Sequence, residues 1–333
     1  VPYEEFERDR RKFGEVLLRE TRFGVGIAFD PGMRVHEVME DPLWKKPGVL
    51  KENFQKARSQ LGTSGHGNHF VEFGKLTVEA DIDEPTLKIK AGTYTALLSH
   101  SGSRGLGQHA ANFYSELAAF LHPELPENLK RLSWLELDSQ EGKDYWEAME
   151  LCGRYAAANH ELIHKHVIAG LGCGVRGYVE NHHNFAWKEE FNGEEVIVHR
   201  KGATPAGEGK LGVVPGSMGT PGFIVRGKGN PESFNSCSHG AGRVMSRAAA
   251  YRNLKREDMK NFLRAREVTL IGGTLDESPE VYKDINKVIA GQTDLVDVLA
   301  KFEPKVVRMA EEKAQWTQRR NKKKAAGEAE VCM

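Results

Sequence analysis

The chain has 333 residues, enough to bury a large core in one domain or in two smaller ones. Lys+Arg and Asp+Glu both number 47, so no global field favours nucleic acid, and an RNA site has to be a local groove. No apolar run reaches membrane-spanning length, no signal peptide is visible, and Cys152, Cys173, Cys237 and Cys332 lack zinc-ribbon or disulfide-framework spacing; a cytoplasmic protein without membrane contact is expected.

Along residues 3–20, Phe6, Phe13, Val16 and Leu17 recur at helical spacing among Glu, Arg and Lys, which predicts a surface helix. The chain opens inside this polar, helix-forming stretch, a sign of an upstream part. A Gly-rich turn covers 24–32. Tyr94, Leu97 and Leu98 ahead of His100 read as a buried strand, and 110–121 as a helix. A longer helix is expected over 145–167, with Met149, Cys152, Tyr155, Leu162 and Ile163 near one face. His160, His164 and His166 lie on it; two histidines at i, i+4 can bind metal, and a solvated face is the expectation. Residues 195–198, 223–225 and 268–271 read as strands; 244–251, 281–299 and 306–315 read as helices. The end carries Arg319, Arg320, Lys322, Lys323 and Lys324, a charge run of the solvated kind. Helices and strands mix without a βαβ rhythm, so the class is α+β, mixed β-sheets with surrounding helices.

Residues 236–247 read S-C-S-H-G-A-G-R-V-M-S-R. Gly240 and Gly242 let the backbone approach a ligand, and a helix over 244–251 would aim free N–H groups beside His239, a place suited to phosphate. A neutral imidazole there can attack phosphorus; the plain alternative is a buried histidine in a Gly-rich turn. Three more histidines stand at strand ends or turns: His69 in L-G-T-S-G-H-G-N-H-F-V-E-F-G, His100 in L-L-S-H-S-G-S-R-G-L-G, and His183 in E-N-H-H-N-F-A-W-K-E. Three neutral imidazoles suit Zn²⁺, Mn²⁺ or Fe²⁺, although each one alone reads equally as structural. Arg104 and Arg243 offer planar forks for phosphate, and Asn68 and Asn184 can bond phosphate oxygens. Glu72 shares a strand face with Phe70, and its carboxylate can accept N1–H and N2–H of guanine, an edge adenine lacks. The backbone of Pro215 to Met218 can cradle a nucleotide.

Together LGTSGHGNHFVEFG, HSGSRGLG, ENHHNFAWKE, HRKGATPA, VVPGSMGTPGFIVRG, NSCSHGAGRVMSR and VYKDINKVI resemble the RtcB-type RNA ligases, in that family's order over residues of about 60 to 300. The resemblance implies a GTP- and Mn²⁺-dependent enzyme of tRNA splicing or RNA repair. A histidine takes GMP from GTP and passes it to an RNA 3′-phosphate, which can arise from a 2′,3′-cyclic phosphate. The 5′-hydroxyl of a second RNA then attacks and expels GMP. Carried over, His239 is the guanylylated nucleophile, and His69, His100 and His183 are manganese ligands. Nucleotide contacts fall on Asn68, His69, Phe70, Val71, Glu72, His183, Asn184, Pro215, Gly216, Ser217, Met218, His239, Gly240, Ala241 and Gly242. Lys201 and Arg104 become contacts for phosphate or an RNA end. The resemblance assigns 1–303 to a catalytic domain and 304–333 to a helical, basic tail.

The chain departs from that pattern in four places. The family's upstream D-x-x-C-G segment is missing: Asp30 lacks the cysteine, and Cys173 stands in the wrong place in the order. An amino-terminally truncated chain is therefore expected, with at most one of the family's two Mn²⁺ ions held well. The family's terminal Lys-Gly is replaced by a continuing tail, in which Lys305 or Lys313 could substitute only by moving. Gly222 stands where a small hydroxyl residue is usual. Two other readings stay open: a nucleotide- or RNA-binding remnant without its metal centre, and a His₃-metal hydrolase, which would need an open metal position and a general base. The identity of the RNA, the need for an activator protein and the oligomeric state are left open.

Overall fold

A computed structural model describes residues 1–312; the basic run from Arg319 to Lys324, together with Lys313 and Cys332, lies outside the described residues. Two helices replace the single one expected at the start, α1 (Tyr3–Arg8) and α2 (Arg10–Glu20). They break at Asp9, whose carboxylate accepts the Lys12 N–H and caps α2. Their apolar stripe is not a surface feature: Phe6, Phe13, Val16 and Leu17 are all buried against Val71 and Phe73. Next come α3 (Val49–Gln60), β1 (Phe70–Val78), the small pair β2 (Ile82–Glu84) and β3 (Leu87–Ile89), β4 (Gly92–His100) and α4 (Arg104–Leu121). The long α5 (Gln140–Leu171) starts where Ser139 Oγ accepts the Gly142 N–H and stops at Gly172, whose φ of 67° places it in the left-handed region. Ala148, Leu151, Tyr155 and Leu162 on α5 pack into the α3–α4 core, while Ile163 and Val167 pack on the sheet. One helix thus ties two cores together.

The second half supplies the hairpin β5 (Phe185–Phe191) and β6 (Glu194–Arg200), then β7 (Ala203–Pro205), β8 (Leu211–Val214), β9 (Gly222–Gly227) and β10 (Ser236–Ser238). After these follow α6 (Arg247–Asn253), α7 (Arg256–Arg264), β11 (Thr269–Gly273), α8 (Ile285–Ala290) and β12 (Val296–Glu311). The central sheet runs β4-β1-β12-β9-β8, with β11 beside the far half of β12. Helices α1, α2 and α5 cover one face, and α7 covers part of the other through Met259 and Leu263. The α+β class with a mixed sheet is therefore as expected.

β12 overturns two expectations. Of the helix expected over 281–299 only 285–290 is helical, and residues 306–311 are strand, crossing the boundary expected at 303/304. Helix-favouring Met309, Ala310 and Glu311 are overridden by tertiary packing: β12 pairs antiparallel with β1 and β9 and parallel with β11. With both faces covered, Val306, Val307, Met309 and Ala310 are all buried, and the run loses the alternation of a half-exposed strand. Pro304 is admitted because the register shifts beside it: Gly74 faces Pro304 and Phe73 faces Val306, leaving Lys305 as the extra residue of a bulge. Gly74 lets the Glu303 carbonyl come close, where any Cβ would collide with it.

Candidate functional site

The antiparallel register of β1 and β4 pairs Phe70 with His100, so His69, one residue before Phe70, lies at the same sheet end as His100. Gly65 is a requirement of that arrangement, because a Cβ there would land on the His69 imidazole. His183 and Asn184 sit in the loop entering β5, with Asn184 at a φ of 57°. His239 follows β10, which pairs with β7, and its N–H donates to the Gly202 carbonyl at 3.3 Å. The four rings stand in a row: His69–His100 5.6 Å, His100–His183 5.0 Å and His183–His239 5.1 Å between centroids. All four line one cavity of about 2370 Å³, together with Asn68, Phe70, Asn184, Pro215, Arg104 and Lys201. Ten of the 13 histidines lie on its wall, among them His160, His164 and His182.

Burial sets the charge state here. It pushes His69 down to about 3, reinforced by Arg104 and neighbouring imidazoles, and His183 down to about 4; His100 falls well below the usual imidazole range. These three rings are neutral at neutral pH, the state a metal ligand or a nucleophile needs. Nδ1 of His69 and Nδ1 of His239 are buried without a hydrogen-bond partner among the described residues.

The remaining expected residues sit differently. Val71 points to the opposite face of β1 among Phe6 and Phe13 and does not line the cavity. Glu72, on the Phe70 side, is buried between Leu98 and Val307 in register; its Oε2 has no partner among the described residues, and burial drives its pKa well up. Gly216, Ser217, Met218, Gly240, Ala241 and Gly242 lie behind the wall rather than on it. Met218 packs with Phe70, the Ser217 N–H donates to Thr220 Oγ1, and Ala241 is buried beside Val214 and Ile285. A Cβ on Gly240 would lie 3.1 Å from the Pro215 carbonyl, so the two loops meet there, and the Gly242 carbonyl accepts from Lys283 N–H.

Several expectations need correction. No helix opens at 244: α6 begins at Arg247 behind the Ser246 cap, so its N–H groups do not flank His239. Arg243 is committed to protein groups, donating to the Met245 and Asp276 carbonyls and lying 3.5 Å from Glu277. Arg104, by contrast, has no carboxylate within ion-pair distance among the described residues. It donates to Thr63 Oγ1 and the Gly24 carbonyl, sits at a φ of 57°, and is pushed by burial down to about 10. His160 and His164 are not a solvated face: both bond Ser99 Oγ at 2.9 Å. The sequence signal for that is Ser99 and Ser101 flanking His100, opposite an i, i+4 histidine pair. Asp30 is exposed and off the cavity wall, Cys173 is on it, and Lys305 is bonded to the Arg266 carbonyl. Among the described residues no group of three His, Cys, Asp or Glu side chains reaches metal-ligating geometry. Among them, too, no helix is long and apolar enough to cross a membrane.

Comparison with known proteins agrees with this architecture. A match to the RtcB family, tRNA-splicing ligase RtcB, runs over residues 5–310. The RNA-splicing ligase RtcB of Escherichia coli is 37% identical over 268 residues, covering 77% of this chain and 62% of that protein. The tRNA-splicing ligase RtcB of Nanoarchaeum equitans is 32% identical, covering 76% of this chain and 60% of the relative; that of Archaeoglobus fulgidus is 31% identical, covering 84% and 66%. The chain spans about three-fifths of the length of the curated relatives it matches. With the seven motifs in order and the match running almost end to end, the chain belongs to the RtcB tRNA-splicing ligase family.

Proposed function

We propose that this chain carries the nucleotidyl-transfer site of a cytoplasmic RNA ligase. The enzyme joins an RNA 3′-phosphate or 2′,3′-cyclic phosphate end to a 5′-hydroxyl end through a GMP–histidine intermediate, in tRNA splicing or RNA repair. The observation that carries this reading is the row of four neighbouring imidazoles on one cavity wall, two of them with a buried, unpartnered Nδ1. His239 is the nucleophile: a ring nitrogen forms a bond to the α-phosphorus of GTP, and pyrophosphate leaves with the bonding pair. The guanylate then moves to the RNA 3′-phosphate, and attack by the 5′-hydroxyl releases GMP. Glu72 Oε2, an acceptor without a donor, suits the N1–H and N2–H edge of guanine, with Phe70 and Met218 as apolar support. Arg104 and Lys201 face the cavity as contacts for phosphate.

The donor set suits one divalent cation such as Mn²⁺ in kind: His69, His100 and His183, held neutral by burial, would bind it. Bound there, it would neutralise charge on the phosphates and on the leaving pyrophosphate. The set does not suit two, since among the described residues no carboxylate or thiolate joins the three rings to balance a second dication. That same shortfall favours, as a second reading, a nucleotide- or RNA-binding remnant. Intact-mass measurement after incubation with GTP and Mn²⁺ separates the two. A GMP adduct on the wild-type chain that is lost in His239→Ala supports the ligase. An adduct appearing only when an upstream segment restores a carboxylate and a thiolate assigns activity to the longer protein. No adduct in either case removes the ligase reading.

A further inference from the structure

The proposed transfer leaves His160 and His164 of α5 without a role, although both are held in the wall behind His100. We propose that they are positioning residues: with Ser99 they form a hydrogen-bonded clamp that fixes the end of β4 and, through it, the His100 imidazole. Among the described residues no hydrogen bond reaches the His100 ring, whose ring neighbours are His69, Phe70 and His183. Its direction follows the backbone between Ser99 and Ser101, and both of these are bonded to α5.

Proton counting fixes the tautomer of His160. The Ser101 backbone N–H can only donate, so His160 Nε2, 3.3 Å away, is the bare nitrogen. A neutral imidazole then carries its proton on Nδ1 and donates it to Ser99 Oγ at 2.9 Å. Ser99 Oγ also bonds Nε2 of His164 at 2.9 Å, the direction of that bond following the His164 tautomer. Donation from Ser99 to His160 would leave His160 with two bare nitrogens, which a neutral ring does not have. Asn159, one residue earlier, donates to the Gly102 carbonyl and accepts from the Gly62 N–H. The same turn of helix therefore holds the segment leading to His69 and the segment following His100. Apolar side chains at 160 and 164 would bury as well; the histidines add direction, which is what an unbonded ring at 100 lacks.

The clamp rests on the ligase reading only for its rate measurement, and the test is built accordingly. In the full chain with nitrogen-15 histidine, NMR should find His160 protonated on Nδ1 and bare on Nε2, and Ser99→Ala should shift the His100 ring signals. In the guanylylation assay Ser99→Ala and His164→Ala should slow transfer to His239 about 10- to 100-fold with KM for GTP unchanged. His160→Gln, which keeps an acceptor for Ser101, should recover more rate than His160→Ala. A proton on Nε2 of His160, or His100 signals unmoved in Ser99→Ala, overturns the clamp. If neither the wild-type chain nor its upstream-extended form makes a GMP adduct, the ligase reading fails, while the nitrogen spectra still decide the clamp.

Discussion

At the residue scale, positions without side chains are as informative as the imidazoles. Gly65 has an ordinary backbone conformation, so alanine is admissible there for the chain but not for the His69 ring that fills the space. Gly65→Ala should therefore leave the circular dichroism spectrum of the fold intact while displacing His69. GMP transfer to His239 is expected to fall about 100-fold, the cost of a misplacement near one ångström. Glu72 makes the opposite case, a residue kept at the expense of stability. Its carboxyl is protonated more readily in the folded chain than in the unfolded one, so ionisation of the unfolded state lowers stability as pH rises above the ordinary carboxylate range. Glu72→Met should raise stability at pH 7 by about 1–3 kcal/mol in urea unfolding, with the gain shrinking toward pH 4, and should abolish preference for GTP over ATP.

At the scale of elements, the sequence and the structure agree wherever spacing alone decides. The body of α5, read over 145–167 and observed over Gln140–Leu171, the strand ending at His100 and the β9 strand were legible from periodicity, while the Ser139 and Gly172 ends of α5 were not read. β12 was not, because a strand covered on both faces has no alternation, and its Pro304 and Met-Ala-Glu run point elsewhere. The histidine cavity was legible in its members and not in its depth. Nothing local in the sequence shows that Val71 turns away, that Arg243 is taken up by Glu277, or that His160 and His164 face Ser99. Those depend on register and on partners more than 30 residues distant. The bulge offers a direct check on the sheet: Gly74→Ala, driven against the Glu303 carbonyl, should cost about 1–3 kcal/mol in urea unfolding. Gly212→Ala on β8, where a Cβ finds only ordinary contact 3.7 Å from Val225, should be close to neutral.

Across the whole molecule, the concentration of buried neutral histidines makes acid its weak side. His160 and His164 are pushed by burial down to about 4 against an ordinary value near 6.5. The unfolded chain thus binds protons that the folded chain refuses. The stability that these two neutral rings contribute is full above about pH 6.5 and is lost as pH falls through about 4. Stability curves taken between those limits should be shallower in the His160→Gln/His164→Gln double variant, by up to about two protons in the linkage slope. An unchanged slope would mean that neither imidazole stays neutral in the native chain.

The triple pairing of residues 296–311 also has a consequence in time. β1, β9 and β11 each find their common partner only in the last strand described, and the Phe70–Met309 pair bridges most of the polypeptide. A nascent chain leaving the ribosome carries its histidine-bearing loops long before it has the strand that closes the sheet around them. Refolding from denaturant should accordingly be slow, in the range of milliseconds to seconds typical of topologies dominated by distant contacts.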